Sequence, residues 1–309
     1  MISSNYIIIV TYNGAQWIRQ CLDSCLGYNV IVVDNNSTDE TVSFIEANYP
    51  NITLLKQQKN LGFGRANNLG ISHALKNGCD YVFLLNQDAY LEKDAIDRMV
   101  AVHKKNLEYG ILSPTHLNGA GNKLDRNFSN YLSYDSNNHF FHDAIKQQLK
   151  SVYSVPFVNA AAWLLPVSTL KMIGGFDPIF FHYGEDDNYC QRALFHSLKI
   201  GIISNAFIRH DRENIIKRPV LNYTDKLKKM SIGLKLEWGN INKNINGRIN
   251  SREKSLLKKT FRNFILLRYT KGHHYYLEFK LIRSIKNDIY ISRNTNTEKG
   301  NNYLIKRNE

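Results

Sequence analysis

The sequence predicts an α/β fold, a mostly parallel sheet covered by helices on both faces, with a C-terminal helical extension. Strand-like and helix-like segments alternate over the first 113 residues. The strand-like pieces are about four residues long and rich in Ile and Val without polar alternation, the pattern of strands buried on both faces. After residue 214 the chain reads as basic amphipathic helix.

Taken in order, Tyr6–Val10 reads as a strand and Ala15–Leu26 as a helix with Trp17, Cys21, Leu22 and Cys25 on one side. Val30–Val33, Ile52–Leu55, Tyr81–Leu85 and Ile111–Ser113 read as strands, and Thr38–Asn48, Gly64–Lys76 and Asp94–Leu107 as the helices between them. Such repetition makes βαβ units with right-handed crossovers. Asn118–Asn138, rich in Asn, Gly, Ser and Asp, predicts loops or short edge strands. Strands follow at Ser151–Pro156 and Ala160–Leu165, then a short helix at Ser168–Ile173, a Gly-Gly turn and the aromatic stretch Phe176–Tyr183. A helix from Glu185 to Ser197 and two strands, Ile200–Ser204 and Ala206–Arg209, complete a domain spanning residues 1–213. The extension, 214–309, divides into helices at Lys226–Trp238, Glu253–Tyr269 and Tyr275–Tyr290, with an Asn-rich linker at Asn240–Asn250 and a frayed last dozen residues.

Composition narrows the function. Hydrophobic content of 43% and charged content of 22% are those of an ordinary globular chain. The four cysteines form no CxxC pair, which disfavours a metal knuckle or a disulfide framework and makes a cytoplasmic setting the expectation. No apolar run approaches the roughly 18 residues of a membrane span, so no helix is expected to cross a bilayer. The net charge of +13 is uneven: residues 1–210 are nearly balanced, and the excess lies at Lys217–Arg218, Lys226–Lys229, Arg252–Lys259 and Arg262–Lys286. A basic tail on a neutral domain implies a polyanionic partner. Nucleic acid is not expected, because no recognition motif accompanies the charge.

Ligands of open parallel sheets bind at the C-terminal ends of the strands. Three polar clusters fall there: Thr11-Tyr12-Asn13, Asp34-Asn35-Asn36-Ser37 and Asn86-Gln87-Asp88. The same residues suit turns and helix caps, so they stand as a cap set or as a ligand site. Asn60-Leu-Gly-Phe-Gly64 precedes a helix, but it has no trailing Lys-Ser/Thr and does not follow the first strand, which argues against an NTPase or a dehydrogenase. Glu185-Asp186-Asp187 opens a helix, where the dipole favours negative charge. This is either an acidic first turn or a base beside a pocket walled by Phe180, Phe181, His182 and Tyr183. His210, followed by Asp211, suits a metal or phosphate ligand or an ordinary surface histidine.

Together these residues resemble the family 2 glycosyltransferases of GT-A fold, and within them the bacterial rhamnosyltransferase-like enzymes of O-antigen, capsule and cell-wall polysaccharide synthesis. The matching segments are Ile8-Ile-Val-Thr-Tyr-Asn13, Val32-Val-Asp-Asn-Asn-Ser-Thr-Asp39, Asn60 to Gly70, Leu84-Leu-Asn-Gln-Asp88, Gly174-Gly-Phe-Asp177 and Phe180-Phe-His-Tyr-Gly-Glu-Asp186. The resemblance implies that Thr11, Tyr12, Asp34 and Asn35 hold the nucleotide, with Asn13 in the same cluster, and that Asn60, Gly62 and Asn68 line the donor site with Asn86 and Gln87. Asp88 is the acidic member of the family's Asp-x-Asp signature, whose Mg²⁺ or Mn²⁺ bridges a diphosphate, with His210 a further ligand. Asp186 matches the catalytic base. Glu185, Trp163, His182 and Tyr183 are expected on the acceptor side. Asn86 stands where the signature has its first aspartate, and Asn67 where some relatives carry an arginine.

The implied reaction is an inverting transfer from a UDP-hexose or dTDP-rhamnose to a hydroxyl of a growing, lipid-linked polysaccharide. The basic amphipathic helices then serve an anionic membrane surface on the cytoplasmic side, or pack as a homodimer. Two other readings compete: a nucleotidyltransferase, which would carry a Gly/Lys-rich loop where this chain has Thr-Tyr-Asn-Gly, and an inactive carbohydrate-binding scaffold, which would not need Asp88 and Asp186.

Overall fold

The computed structural model describes residues 5–212 and 222–305. The Lys217–Arg218 pair and the expected boundary at 213/214 lie outside them. The chain forms two compact units, Met1–Ile216 with Lys299–Glu309, and Lys217–Glu298.

In the first unit, β1 (Asn5–Thr11), β2 (Asn29–Asp34), β3 (Thr53–Lys56) and β4 (Tyr81–Asn86) alternate with α1 (Ala15–Ser24), α2 (Thr41–Asn48) and α3 (Phe63–Lys76). They pair in parallel in the order β3-β2-β1-β4, with Ile8 opposite Ile31 on one side and Leu84 on the other. Strict succession of apolar residues fills both faces. Ile8, Ile31, Val33 and Leu84 pack into one core layer, while Ile7, Ile9, Val32 and Leu85 pack into the other with Ile18 and Leu22 of α1.

Beyond β4 the sheet becomes mixed. It adds β5 (Ala89–Leu91), β6 (Tyr109–Asn118), β7 (Val152–Ser154), β8 (Ala162–Pro166) and β9 (Lys199–His210), with α4 (Ala95–His103), α5 (Phe140–Ile145), α6 (Val167–Ile173) and α7 (Glu185–Phe195) among them. β8 is antiparallel to β4 and β6, and β9 is parallel to β6. The two strands expected at 200–209 are one strand. Its pairing with β6 jumps from Pro114–Ile203 to Thr115–Phe207, so the intervening residues bulge out instead of ending the ladder. The short β5 was not anticipated from sequence; it pairs with the far end of β9, Ala89 opposite His210.

The second unit contains α8 (Tyr223–Gly239), α9 (Arg248–Ile265) and α10 (Tyr269–Thr297). Asn222 caps α8, its side chain accepting from Asp225 N–H at 2.9 Å. The expected Asn-rich linker is a pinned turn, because Arg293 donates to the carbonyls of Trp238, Asn240 and Lys243. Of the last dozen residues, expected to fray, 306–309 lie outside the described residues, and those before them are held in place. Asn301–Ile305 returns to the first unit, where Gly175 N–H donates to Asn302 O at 2.8 Å, Ile305 N–H donates to Ser72 Oγ at 3.1 Å, and Leu304 is buried.

Candidate active site

The C-terminal ends of β1, β2 and β4 open into a pocket of about 400 Å³, lined by Val10, Tyr12, Trp17, Asn35, Asn60, Gly62, Phe63, Asn86, Gln87, Asp88, Phe181 and His182. It stands where strand ends of an α/β sheet leave room for a ligand. Nine of these residues were expected at the site from sequence. Trp17 was not: it packs on the same side of α1 as Cys21, Leu22 and Cys25, as expected, and its place in the first turn, just after β1, also brings it to the pocket.

The polar side chains divide into those that build the pocket and those left free to serve it. Gln87 Oε1 accepts from Thr11 Oγ1 at 2.7 Å and from Tyr12 N–H at 2.9 Å, which clamps the end of β1 to the end of β4. Thr11, expected against the nucleotide, is fully buried and offers a ligand no surface, whereas its neighbour Tyr12 is exposed. Asn13, at φ 48°, accepts from Thr38 N–H at 2.8 Å while its own N–H donates to Ser37 Oγ, tying the β1 and β2 loops together. The Asp34 carboxylate accepts from Ser37 N–H at 3.1 Å, turning the chain after β2.

Asn35 organises the loop before α3. Its Nδ2 donates to Asn60 Oδ1 at 2.9 Å and its Oδ1 accepts from Leu61 N–H at 2.7 Å. Gly62, at φ 80°, closes that loop, and a Cβ there would lie 1.9 Å from Phe181 O. Asn68 is a correction. It is buried outside the pocket lining, and its amide both donates to and accepts from the Phe176 backbone, so it holds the aromatic stretch in place.

Asp88 lines the pocket, and the β5–β9 pairing sets the buried His210, which is outside the lining, with its Nε2 3.5 Å from Asp88 Oδ1. Among the described residues no group of three His, Cys, Asp or Glu converges as a metal cage. A carboxylate and an imidazole at this spacing suit a Mg²⁺ or Mn²⁺, which they would hold only together with oxygen ligands from outside this pair. Asn86 Oδ1, buried in the same pocket without a partner, is a further hard oxygen. Arg212, two residues past His210, pairs with Asp125, which sequence reading did not foresee.

The carboxylates of α7 face a poorly solvated setting. Burial pushes Asp186 above the usual carboxylate range, against hydrogen bonds from the backbone of Asp187 and Ala160. Burial raises Glu185 to about 7 and Asp187 to about 6, with the neighbouring Asp186 charge adding to both. Glu185 Oε2 is buried without a hydrogen-bond partner. Burial lowers His182, while the charges of His182 and Asp186 each favour the ionised form of the other, which couples Asp186 to a residue lining the pocket. Tyr183 is exposed at φ 69°, next to His182. Trp163 is a correction: it is fully buried in β8 against Phe176 and Tyr189, with no surface to offer an acceptor. Phe180 is likewise core, and the exposed Phe181 is the aromatic wall.

The low-salt glycan biosynthesis hexosyltransferase Agl10 of Haloferax volcanii is 25% identical over 208 residues, 65% of this chain and 65% of that protein's length. The dTDP-rhamnosyl transferase RfbF of Shigella flexneri is 22% identical over 218 residues, 68% of this chain and 70% of its own. Among solved structures, the mannosyltransferase PcManGT from Pyrobaculum calidifontis, in complex with GDP-Man and Mn²⁺, superposes with a TM-score of 0.53 at 18% identity, covering 77% of this chain and 64% of that one. The fold is GT-A, with C-terminal helices added. Residues 6–165, which hold Tyr12, Asn35, Asn60 and the Asn86–Asp88 end of the pocket, match the family described as Glycosyl transferase family 2; the chain belongs to that family.

Proposed function

We propose that this chain is an inverting glycosyltransferase that moves a sugar from a nucleotide-diphosphate donor, UDP-hexose or dTDP-rhamnose, to a hydroxyl of a growing surface polysaccharide such as capsule or O-antigen. The observation that carries this reading is the pocket itself, lined by Asn86 and by Asp88, which pairs with the buried His210 behind it, and by His182, whose charge interacts with Asp186.

Tyr12, Trp17 and Phe181 offer flat apolar surface for a base and a sugar, and Asn35 and Asn60 fix the loop beneath them. Asp88 and His210 would hold a Mg²⁺ or Mn²⁺, which supplies charge neutralisation for a departing diphosphate. Asp186 takes the proton of the acceptor hydroxyl as its oxygen bonds to the anomeric carbon and the carbon–phosphate-oxygen bond breaks. Partial burial raises the basicity of Asp186, which suits it to this transfer near neutral pH. A single displacement by one base inverts the anomeric centre; a retaining route would need a second, nucleophilic carboxylate. The Agl10 and RfbF names support a hexose or rhamnose donor and a polysaccharide-type acceptor. The acceptor is lipid-linked and met at an anionic membrane surface on the cytoplasmic side, a reading supported by the basic second unit.

Thermal-shift measurements with UDP, dTDP, GDP and CMP, with and without Mn²⁺, test this proposal. A metal-dependent rise with one nucleotide supports it, since binding to the native state alone raises stability. A folded chain that no nucleotide stabilises overturns it.

A further inference from the structure

The second unit was expected to offer the apolar faces of its helices to a membrane, but much of those faces is buried within the unit. Ile249 and Leu256 of α9 and Ile282, Ile285 and Ile289 of α10 are buried as the two helices pack on each other. At the corner between them a group of large apolar side chains stays in solvent. Phe261, Ile265, Leu266, Leu267 and Tyr269 are exposed, Ile265 by 79% and Leu267 by 70%. Leu267 sits at φ 54°, in the tight turn that makes the corner. A cluster of large apolar side chains projecting from one tip is unlike the single exposed residues that dot any surface.

The charge around the corner has one sign. Between Glu253 and Glu278 there is no Asp or Glu, while Lys254, Lys258, Lys259, Arg262, Arg268 and Lys271 supply six cations. The two bounding carboxylates are engaged, Glu253 with Lys286 at 2.7 Å and Glu278 with Arg252 at 3.5 Å. We propose that the α9–α10 corner is a membrane anchor. Ile265, Leu266 and Leu267 insert among the acyl chains of an anionic bilayer while Arg262, Arg268 and Lys271 hold the lipid phosphates. Shallow apolar insertion plus attraction to anionic headgroups is the combination that makes peripheral binding stable and composition-dependent. The inference deepens the membrane part of the proposed function and rests on it only for its biological setting. It differs in naming a tip, not a helix face, as the contact.

The test is co-sedimentation of the full chain with phosphatidylcholine vesicles, with or without about 30% phosphatidylglycerol. The wild type is expected to sediment with the anionic vesicles and to stay in solution with neutral ones. The double variant Ile265→Glu/Leu267→Asn is expected to lose at least about tenfold in partitioning, and Arg262→Gln/Arg268→Gln to bind weakly with a reduced dependence on salt. Circular dichroism confirms that these exposed substitutions leave the fold intact. Wild-type failure to bind anionic vesicles overturns the inference, as does a double variant that binds like wild type. So does a dimer in solution that the double variant converts to monomer, because a second copy would then be what covers the corner. Nucleotide thermal shifts on the same proteins separate the two proposals: an absent shift sinks the transferase reading and leaves the vesicle result standing.

Discussion

Asn68 holds Phe176 at both of its backbone polar groups: Asn68 Nδ2 donates to Phe176 O at 2.8 Å, and Phe176 N–H donates to Asn68 Oδ1 at 2.7 Å. The two residues are 108 positions apart, and both are buried. Through this one amide, the helix behind the Asn60–Gly62 loop is fastened to the stretch that carries Phe181, His182 and the α7 carboxylates. Asn68→Ala strands a buried donor and a buried acceptor, a cost on the order of 3 kcal/mol. Urea denaturation is expected to show that loss as a lower midpoint with an unchanged slope.

Replacing Gly62 by Ala tests the loop itself. Its backbone, φ 80° with ψ 168°, lies in a region essentially only glycine adopts and costs an L-residue on the order of 1–3 kcal/mol, and the new Cβ runs into the Phe181 carbonyl. The chain is expected to fold, with the Phe181 side of the pocket displaced and the nucleotide-induced thermal shift reduced or lost.

Asp88→Asn and His210→Ala are expected to abolish the Mn²⁺-dependent part of that shift and to leave any metal-independent part in place. Titrating a chelator into the wild type should reproduce the same loss. A variant that keeps a full metal response would remove Asp88 and His210 from the metal site.

Asp186→Asn is expected to lower kcat by about 10²–10⁴ with little change in nucleotide affinity, as removal of a general base does. Single-turnover assays on a soluble acceptor, beside nucleotide thermal shifts, read the two effects separately.

Stability should fall as pH rises through the range set by Glu185. Its folded value of about 7 lies above the usual 4.5, so between about pH 4.5 and 7 the folded chain holds a proton that the unfolded chain has released. The stability present below that window is lost across it, by roughly 3 kcal/mol. Denaturation of Glu185→Gln at pH 5 and pH 8 is expected to show a much flatter dependence, with the smaller share from Asp187 remaining.

The doubly buried strands were legible in the sequence because runs such as Ile7-Ile8-Ile9 leave no polar face, and only a sheet covered on both sides accepts them. The strand-end clusters were legible for the same reason: once the strands are placed, the residues that follow them stand at the mouth of the sheet. Tyr12, Asn35, Asn60, Asn86, Gln87 and Asp88 all line the pocket. Trp163 and Asn68 were misjudged because residue type does not tell which side chain the packing consumes. An indole suits a sugar as well as it suits a core, and an amide suits a phosphate as well as a distant backbone.

What the sequence determined by itself is whatever local periodicity and chain order dictate: the βαβ half of the sheet, the polar ends of its strands, the acidic start of α7 and the basic helices that follow. Only the tertiary structure decided which residues far apart in the chain meet. The bulge in β9 and its pairing with β5 bring His210 to Asp88, the return of Asn301–Ile305 docks the tail on Gly175, and the packing of α9 on α10 leaves Ile265 and Leu267 as the exposed tip. Each depends on strand register or helix packing between distant segments, and that is fixed by the fit of the whole core, which no local stretch encodes.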